Sequence, residues 1–422
     1  MTTKVRVFLI SGVVLSTMWL VGCGQYKCGT TFGASTCTAG PPGISQGPPG
    51  GSGATAAAFV FAVDSMGSTS SGTIDRYTLD TTANTLSATA NYTAPIIPGE
   101  TGAGLVVAQG KFLYAAFRTT GQIFGWTISS AGDLTAVANS PYSAPFLVSI
   151  NPGAVGQQNM ITDPAGTMLF LSDPSQDRIF AYQIGAGGVL TEVSNSPFAA
   201  PFGPLNLATD GKGRFLYAID GFHGNHTGSE TAAYSISSSG SLSLVDVYPF
   251  TMWQVAGEPT GKYLIGTSGN AVPTSGVEDK NLYVFNIDQT TGALTQAGKF
   301  STHYSPFTIA VQPNTSGNLV YSFGINDTDT GYNPVEGYQV SSTGALSAVS
   351  GSPFSNIRGG FWGQFDQSGA FLLDYSGSIN TGTNNVVTKL GVLNVGSGGA
   401  ITTPIAPATL ATGGYWAVTD VP

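Results

Sequence analysis

"RIFAYQIGAGGVLTEVSNSPF", residues 178–198, sets two short apolar stretches on either side of a Gly-rich break and closes on Ser-Pro-Phe. Apolar residues running or alternating over a few positions, bounded by Gly, Asn and Ser, read as the two strands of a hairpin. The second half, "GVLTEV", returns as "NTLSAT", "GDLTAV", "GSLSLV", "GALTQA", "GALSAV" and "GAITTP". Its apolar anchor falls at Leu86, Leu134, Leu190, Leu242, Leu294, Leu346 and Ile401, with gaps of 48, 56, 52, 52, 52 and 55 residues. Gly132, Gly188, Gly240, Gly292 and Gly344 stand two places ahead of the anchor, where a tight turn calls for a positive φ.

A period near 50 residues marks a repeat architecture. Each hairpin is preceded by another strand, "MLFLSD" in the quoted unit and "FLYAID" in the next, and before that by one such as "LNLATDGKG" or "FTIAVQPN". Four antiparallel strands per unit, seven times over, predict an all-β, seven-bladed β-propeller. The first unit opens at "FVFAVD" without its innermost strand, and the chain finishes on "GYWAVTDVP", which matches "FTIAVQPN". Residues 414–421 are therefore expected to complete blade one and close the ring, leaving no exposed sheet edge. A β-solenoid and a pair of sandwiches are the competing architectures. Ser-Pro-aromatic recurs at Ser140-Pro141-Tyr142, Ser196-Pro197-Phe198, Ser305-Pro306-Phe307 and Ser352-Pro353-Phe354. Because proline has no amide hydrogen for a ladder, the tripeptide is expected just past a blade's last strand, with its aromatic in the seam to the next blade.

Composition agrees with this reading. Of 422 residues 58 are Gly and 24 Pro, and only 9% are charged, which suits short strands and tight turns better than helices. Lys4 and Arg6 precede an apolar run from Val7 to Leu20 that ends in Leu20-Val21-Gly22-Cys23. A basic start and an apolar stretch too short to span a bilayer read as an export signal, residues 1–22. Those last four residues resemble a bacterial lipobox, so Cys23 is expected to carry lipid and to hold the protein at a membrane surface of the cell envelope. Residues 23–53 then form the anchor and a Gly/Pro-rich tether containing "AGPPGISQGPPGGSGA", and residues 54–422 the propeller. Cys28 and Cys37 are left to form a disulfide in an oxidising compartment, with a metal site as the alternative. Without residues 1–22 the balance is 12 basic against 23 acidic residues, or −11, which repels nucleic acid.

The combined pattern, "FLY", then a Tyr-x-Ile strand, then Gly-x-Leu-Thr-x-Val-x-x-Ser-Pro-Phe, resembles the lactonase-type seven-bladed propellers. These include the propeller 6-phosphogluconolactonases and carboxymuconate cyclases. Blade three, "MLFLSDPSQDRIFAYQI", is similar to the family element "vaDLGtDRifvY" and places Asp173, Asp177 and Arg178 on its positions. Active relatives carry a His-rich stretch ahead of this strand, where this chain has "GQQNMITDPAG" with Asn159. They carry Gly-Pro-Arg-His on the next inner strand, where Gly203-Pro204-Leu205-Asn206 stands, and Asn-Glu where Ile219-Asp220 stands. Opening a phosphorylated lactone needs cations for the phosphate and oxyanion and a base for water. Asp220, Arg178 and Asp177 are the candidate catalytic residues, and Asp173 and Asn206 candidate ligand contacts.

Three further groups are singled out. His223 and His226 with Glu230, in "DGFHGNHTGSE", could hold a ligand or metal or be two solvated loop histidines. Asp327 and Asp329 in "NDTDTG" fit calcium or a polar turn. Arg358, in "NIRGGFW", is a candidate anion contact at the channel or a structural donor to loop carbonyls. No nucleophile elbow, phosphate loop or dinucleotide fingerprint occurs, and no cofactor or metal is expected. The expected function is a monomeric, envelope-displayed binding module for a sugar-acid or lactone ligand or a protein partner. The alternative is a lactone hydrolase with an altered site.

Overall fold

The computed structural model describes residues 58–420 apart from 65–72, 81–82, 84, 94–101, 118–119, 146–158, 221–229, 251, 268–278, 315–317, 325–333, 359–361, 379–385 and 410–413. Cys23, Cys28, Cys37, the export signal and the tether lie outside the described residues.

Blade four shows the plan. Its inner strand Asn206–Thr209 pairs with Phe215–Ile219, that with Thr231–Ile236, and that with the outer strand Leu242–Tyr248, all antiparallel. The inner strands of blades two to seven are Gly102–Ala108, Met160–Thr162, Asn206–Thr209, Gln254–Gly257, Thr308–Val311 and Trp362–Phe365, each packed on the next around a central channel. Blade one takes its inner strand from the far end of the chain: Gly414–Asp420 runs antiparallel to Ala58–Asp64, with Val60 opposite Thr419 and Ala62 opposite Ala417. The ring is a seven-bladed β-propeller, closed as the repeat count required.

The cores lie in the seams between blades. Ala108 and Tyr114 of blade two, for instance, pack with Leu169, Phe180 and Tyr182 of blade three. Each second strand is covered on both faces, so Phe112–Phe117, Met168–Asp173 and Phe215–Ile219 are buried throughout and read in sequence as near-continuous apolar runs. The hairpin glycines serve this seam as well as their turn. Gly292 has φ of 81°, and a Cβ on it would stand 2.3 Å from the Phe215 ring of the preceding blade. Its carbonyl accepts the Tyr217 hydroxyl at 3.0 Å, just as Gly188 accepts Tyr114 at 2.7 Å. Burial pushes both phenols well above the usual tyrosine range, which keeps them protonated donors across the seam.

The Ser-Pro-aromatic segments correct one expectation. In blades two, three and six they interrupt the outer strand instead of following it. Tyr142 and Phe198 open short strands that rejoin the third strand opposite Ile123 and Ile179, and Phe354 does so opposite Val335. The serine fills the gap in the ladder, since Ser140, Ser196 and Ser352 Oγ accept the amides of Gly125, Ala181 and Gly337 at 2.9, 3.1 and 3.0 Å. Blades four and five keep unbroken outer strands, Leu242–Tyr248 and Leu294–Ser301. The aromatic does sit in the seam, Tyr142 against the core shared by blades two and three.

Candidate functional site

Antiparallel pairing puts the start of every inner strand, the end of every second strand and the start of every third strand on one rim. The resemblance residues collect there. Ser172 donates from its amide to the Asn159 carbonyl at 2.8 Å, and Asn206 lies opposite Ile219, so Asp173 and Asp220 occupy the same register in neighbouring blades. Both are buried, at 0% and 2% exposure. Their partners on the third strand differ in sign. Opposite Asp173 stands Arg178, whereas the Asp220 amide donates to the Glu230 carbonyl at 3.0 Å.

Arg178 is engaged inside the protein. Its Nε donates to Asp173 Oδ2 at 2.9 Å and its Nη2 to the Pro145 carbonyl at 2.8 Å, and its guanidinium lies 4.9 Å from the centre of the Phe180 ring. Asp177 is an exposed residue of the intervening tight turn, at φ 49° and ψ 55°, and its carbonyl accepts the Ala200 amide at 2.7 Å. Asn206 is buried and donates from Nδ2 to the Trp253 carbonyl at 2.5 Å, linking blade four to the start of blade five. Asn159, wholly buried, has neither amide atom partnered among the described residues. Such a group is costly unless something satisfies it.

The other candidates fall elsewhere. His223, His226, Asp327 and Asp329 lie outside the described residues, while Glu230 begins the pairing of blade four's third strand. Arg358 ends the outer segment Phe354–Arg358, its backbone opposite Pro334, with its side chain outside the described residues. Buried Glu336, which sequence reading passed over, accepts the Tyr304 and His303 amides at 2.9 and 3.2 Å and pins the crossing from blade five to blade six.

The opposite rim holds a second set that sequence reading missed. The inner strands of blades three, four, five and seven run into Asp163, Asp210, Glu258 and Asp366, all buried. Each carboxylate caps its own turn: Asp163 accepts the Thr167 and Met168 amides at 2.6 Å, and Glu258 those of Lys262 and Tyr263 at 2.7 and 3.1 Å. Gln109 and Gln312 hold the same place in blades two and six, donating to the turn carbonyls Gly166 and Gly369 of the next blade, each at 2.9 Å. The signal was available as a column, obtained by aligning the inner strands on "FTIAVQPN". A cavity of about 440 Å³ occupies this end of the channel. Among the described residues around it the charged side chains are Asp163 and Asp366, with no Lys, Arg or His.

Residues 158–350 match the family described as lactonase, 7-bladed beta-propeller. The chain is 31% identical over 107 residues to a 6-phosphogluconolactonase of Erwinia tasmaniensis, covering 25% of this chain and 28% of the relative. It is 29% identical over 115 residues to one of Photorhabdus laumondii, covering 27% and 31%. The matched stretch thus spans less than a third of either relative's length. Among solved structures, a Lactobacillus plantarum protein superimposes with a TM-score of 0.54 at 15% identity, over 87% of this chain and 99% of that one. A hypothetical selenium-binding protein from Sulfolobus tokodaii gives 0.55 at 9% identity, over 85% and 94%. These two share the fold. The closed ring is that of a seven-bladed β-propeller, and within it blades three to six, residues 158–350, are similar to the lactonase family.

Proposed function

We propose that the protein is an exported, lipid-anchored binding module that takes an uncharged ligand of the sugar-lactone class at the mouth of the channel between blades three and four. The observation that carries this reading is the engagement of Arg178. With its guanidinium bonded to Asp173 and to Pro145, its charge is taken up by that ion pair, and the other buried polar groups of the rim are the Asp220 carboxylate and the Asn159 and Asn206 amides. The Asp220 carboxylate disfavours a phosphate or an acid beside it, whereas hydroxyls can donate to it and exchange bonds with amides. A small ligand is favoured over a protein partner because Leu244 is the one large hydrophobic side chain exposed among the described residues. In calorimetry on the full chain in detergent, fresh D-gluconolactone should bind and its open-chain acid, gluconate, should not. Equal affinity for gluconate would overturn the reading.

Lactone hydrolysis is the second reading, favoured by the names of the sequence relatives and by Asp220, a buried acid one residue past the strand that faces Asn206. Asp220 would take the proton from the attacking water, and an amide N–H at the mouth would hold the oxygen that gains charge. If so, gluconolactone opens faster than in buffer, and Asp220→Asn lowers the rate by about 10²-fold or more. A wild-type rate equal to buffer rules this out.

The anchor is part of the same proposal. Cys23→Ser should abolish incorporation of labelled fatty acid and move the protein from the membrane to the soluble fraction. Undiminished labelling would refute it.

A further inference from the structure

Resting on the sugar-ligand reading of the loop-rim mouth, we propose that Trp253 is the platform on which the ligand's ring lies. The site then takes a cyclic neutral sugar or its lactone in preference to an open-chain polyol. Leu205, Trp253 and Phe307 hold one position at the loop-rim start of the inner strands of blades four, five and six. Their amides donate to the Ile219, Thr267 and Phe323 carbonyls at 2.9, 2.8 and 2.7 Å. Leu205 and Phe307 are buried, whereas Trp253 is half-buried. Of the other tryptophans whose side chains are described, Trp126 and Trp362 are buried as well, so Trp253 is the indole that reaches the surface.

Its place ties it to the mouth. The Trp253 carbonyl accepts Asn206 Nδ2 at 2.5 Å, which sets the residue against the blade-four side of the candidate site. Phe307 lies against its ring, with centroids 4.6 Å apart and planes at 35°. Phe307 is itself fixed, since its carbonyl accepts Oγ1 of wholly buried Thr267 at 3.0 Å. An indole backed in this way is held before any ligand arrives, and little of its freedom is lost on binding.

What the residue exposes selects the ligand. Nε1 is buried and the backbone N–H and C=O are both engaged, so the accessible part of Trp253 is carbon. The face of an aromatic ring carries partial negative charge and attracts C–H groups polarised by neighbouring oxygens. A pyranose or six-membered lactone turns several such C–H groups to one side and keeps hydroxyls around its rim for the carboxylate and amides of the mouth. An open-chain polyol has the same hydroxyls but no flat side, and must surrender the freedom of its chain to lie against the indole.

Tryptophan fluorescence of the full chain in detergent tests this, with fresh D-gluconolactone and D-sorbitol as probes. Gluconolactone should protect the wild type from acrylamide quenching, and sorbitol at the same concentration should not. Trp253→Phe keeps an aromatic face, so it should lose the protected signal yet bind the lactone within about threefold of wild type by calorimetry. Trp253→Leu fills space without such a face and should bind about tenfold more weakly or worse. The bond from Asn206 is made to the backbone, so both variants retain it, and an unchanged urea transition checks that each is folded. If Trp253→Leu lowers that transition, the quenching comparison of wild type with Trp253→Phe decides alone. Undiminished lactone binding in a folded Trp253→Leu, protection that persists in Trp253→Phe, or sorbitol binding as tightly as the lactone would each overturn the platform and leave the mouth as the ligand site. Absence of lactone binding to the wild type would overturn both.

Discussion

Removal of residues 414–422 is expected to abolish cooperative folding of the ring. Phe59–Asp64 pair with this segment along their whole length, and Phe59, Val60 and Phe61 are buried on the strand it covers. At about 1 kcal/mol net per hydrogen bond such a ladder contributes several kcal/mol, against a total of roughly 5–15 kcal/mol for a domain. Its loss also leaves Ala58–Asp64 as an exposed, apolar edge strand, a template for aggregation. The truncated chain should therefore unfold at much lower urea, without a single transition, and sediment as oligomers. The deletion can be rescued by connectivity. In blade four the inner strand leads through Asp210 and a short turn into Phe215, and Asp420 lies opposite Phe59 in blade one. Residues 414–420 fused through a turn of that kind ahead of Ala58 should restore the wild-type transition. A truncated chain with an unchanged urea midpoint would show that closure does not hold the ring together.

That closure was legible because the repeat was. The apolar anchors Leu134, Leu190, Leu242 and Leu294 are buried in the seams, so a period forced by packing appears directly in the letters. The hairpin glycines were legible for a partial reason: their positive φ follows from turn chemistry, but their contact with the preceding blade does not. The Ser-Pro-aromatic segments were read as joints because proline ends ladders. What the sequence could not display is that serine Oγ replaces the missing backbone acceptor and lets the outer strand resume. At the site, Asp173 and Arg178 were found through resemblance, yet the bond from Arg178 to Pro145 joins residues 33 apart on different blades and leaves no mark in spacing. The turn acids were passed over because a lone acid three residues ahead of a Gly, as in Asp163 before Gly166 or Glu258 before Gly261, looks like a solvated turn. Only their common register with Glu258 and Gln312 shows them to be one tier.

Gly211→Ala is expected to be among the most destabilising single-methyl additions in the protein. A Cβ at Gly211 would stand 2.1 Å from the Glu258 carbonyl oxygen and 2.5 Å from Pro259 Cα. The contact is reciprocal, since a Cβ at Gly257 would stand 2.4 Å from the Thr209 carbonyl oxygen. Blades four and five thus touch backbone to backbone beside the channel, with no flexible side chain to move aside. Overpacking usually costs about 1–3 kcal/mol because neighbours shift, and here the neighbours are two strands fixed in a closed ring, so about 3 kcal/mol or more is expected. The strain also bears on Glu258, whose carboxylate holds the Thr260, Lys262 and Tyr263 amides at 2.8, 2.7 and 3.1 Å. Separation of the two strands would pull that turn from the cavity wall it shares with Gly211 and Pro259. Gly398→Ala is the matched control, because a Cβ there meets nothing within 4 Å and its φ lies outside the left-handed region. Its urea midpoint should hold or rise slightly, as removal of a glycine from a compatible turn stabilises by roughly 0.4–1 kcal/mol. Equal midpoints for the two variants would mean that the inner strands can part at no cost, and that close approach of blades four and five does not set the width of the channel.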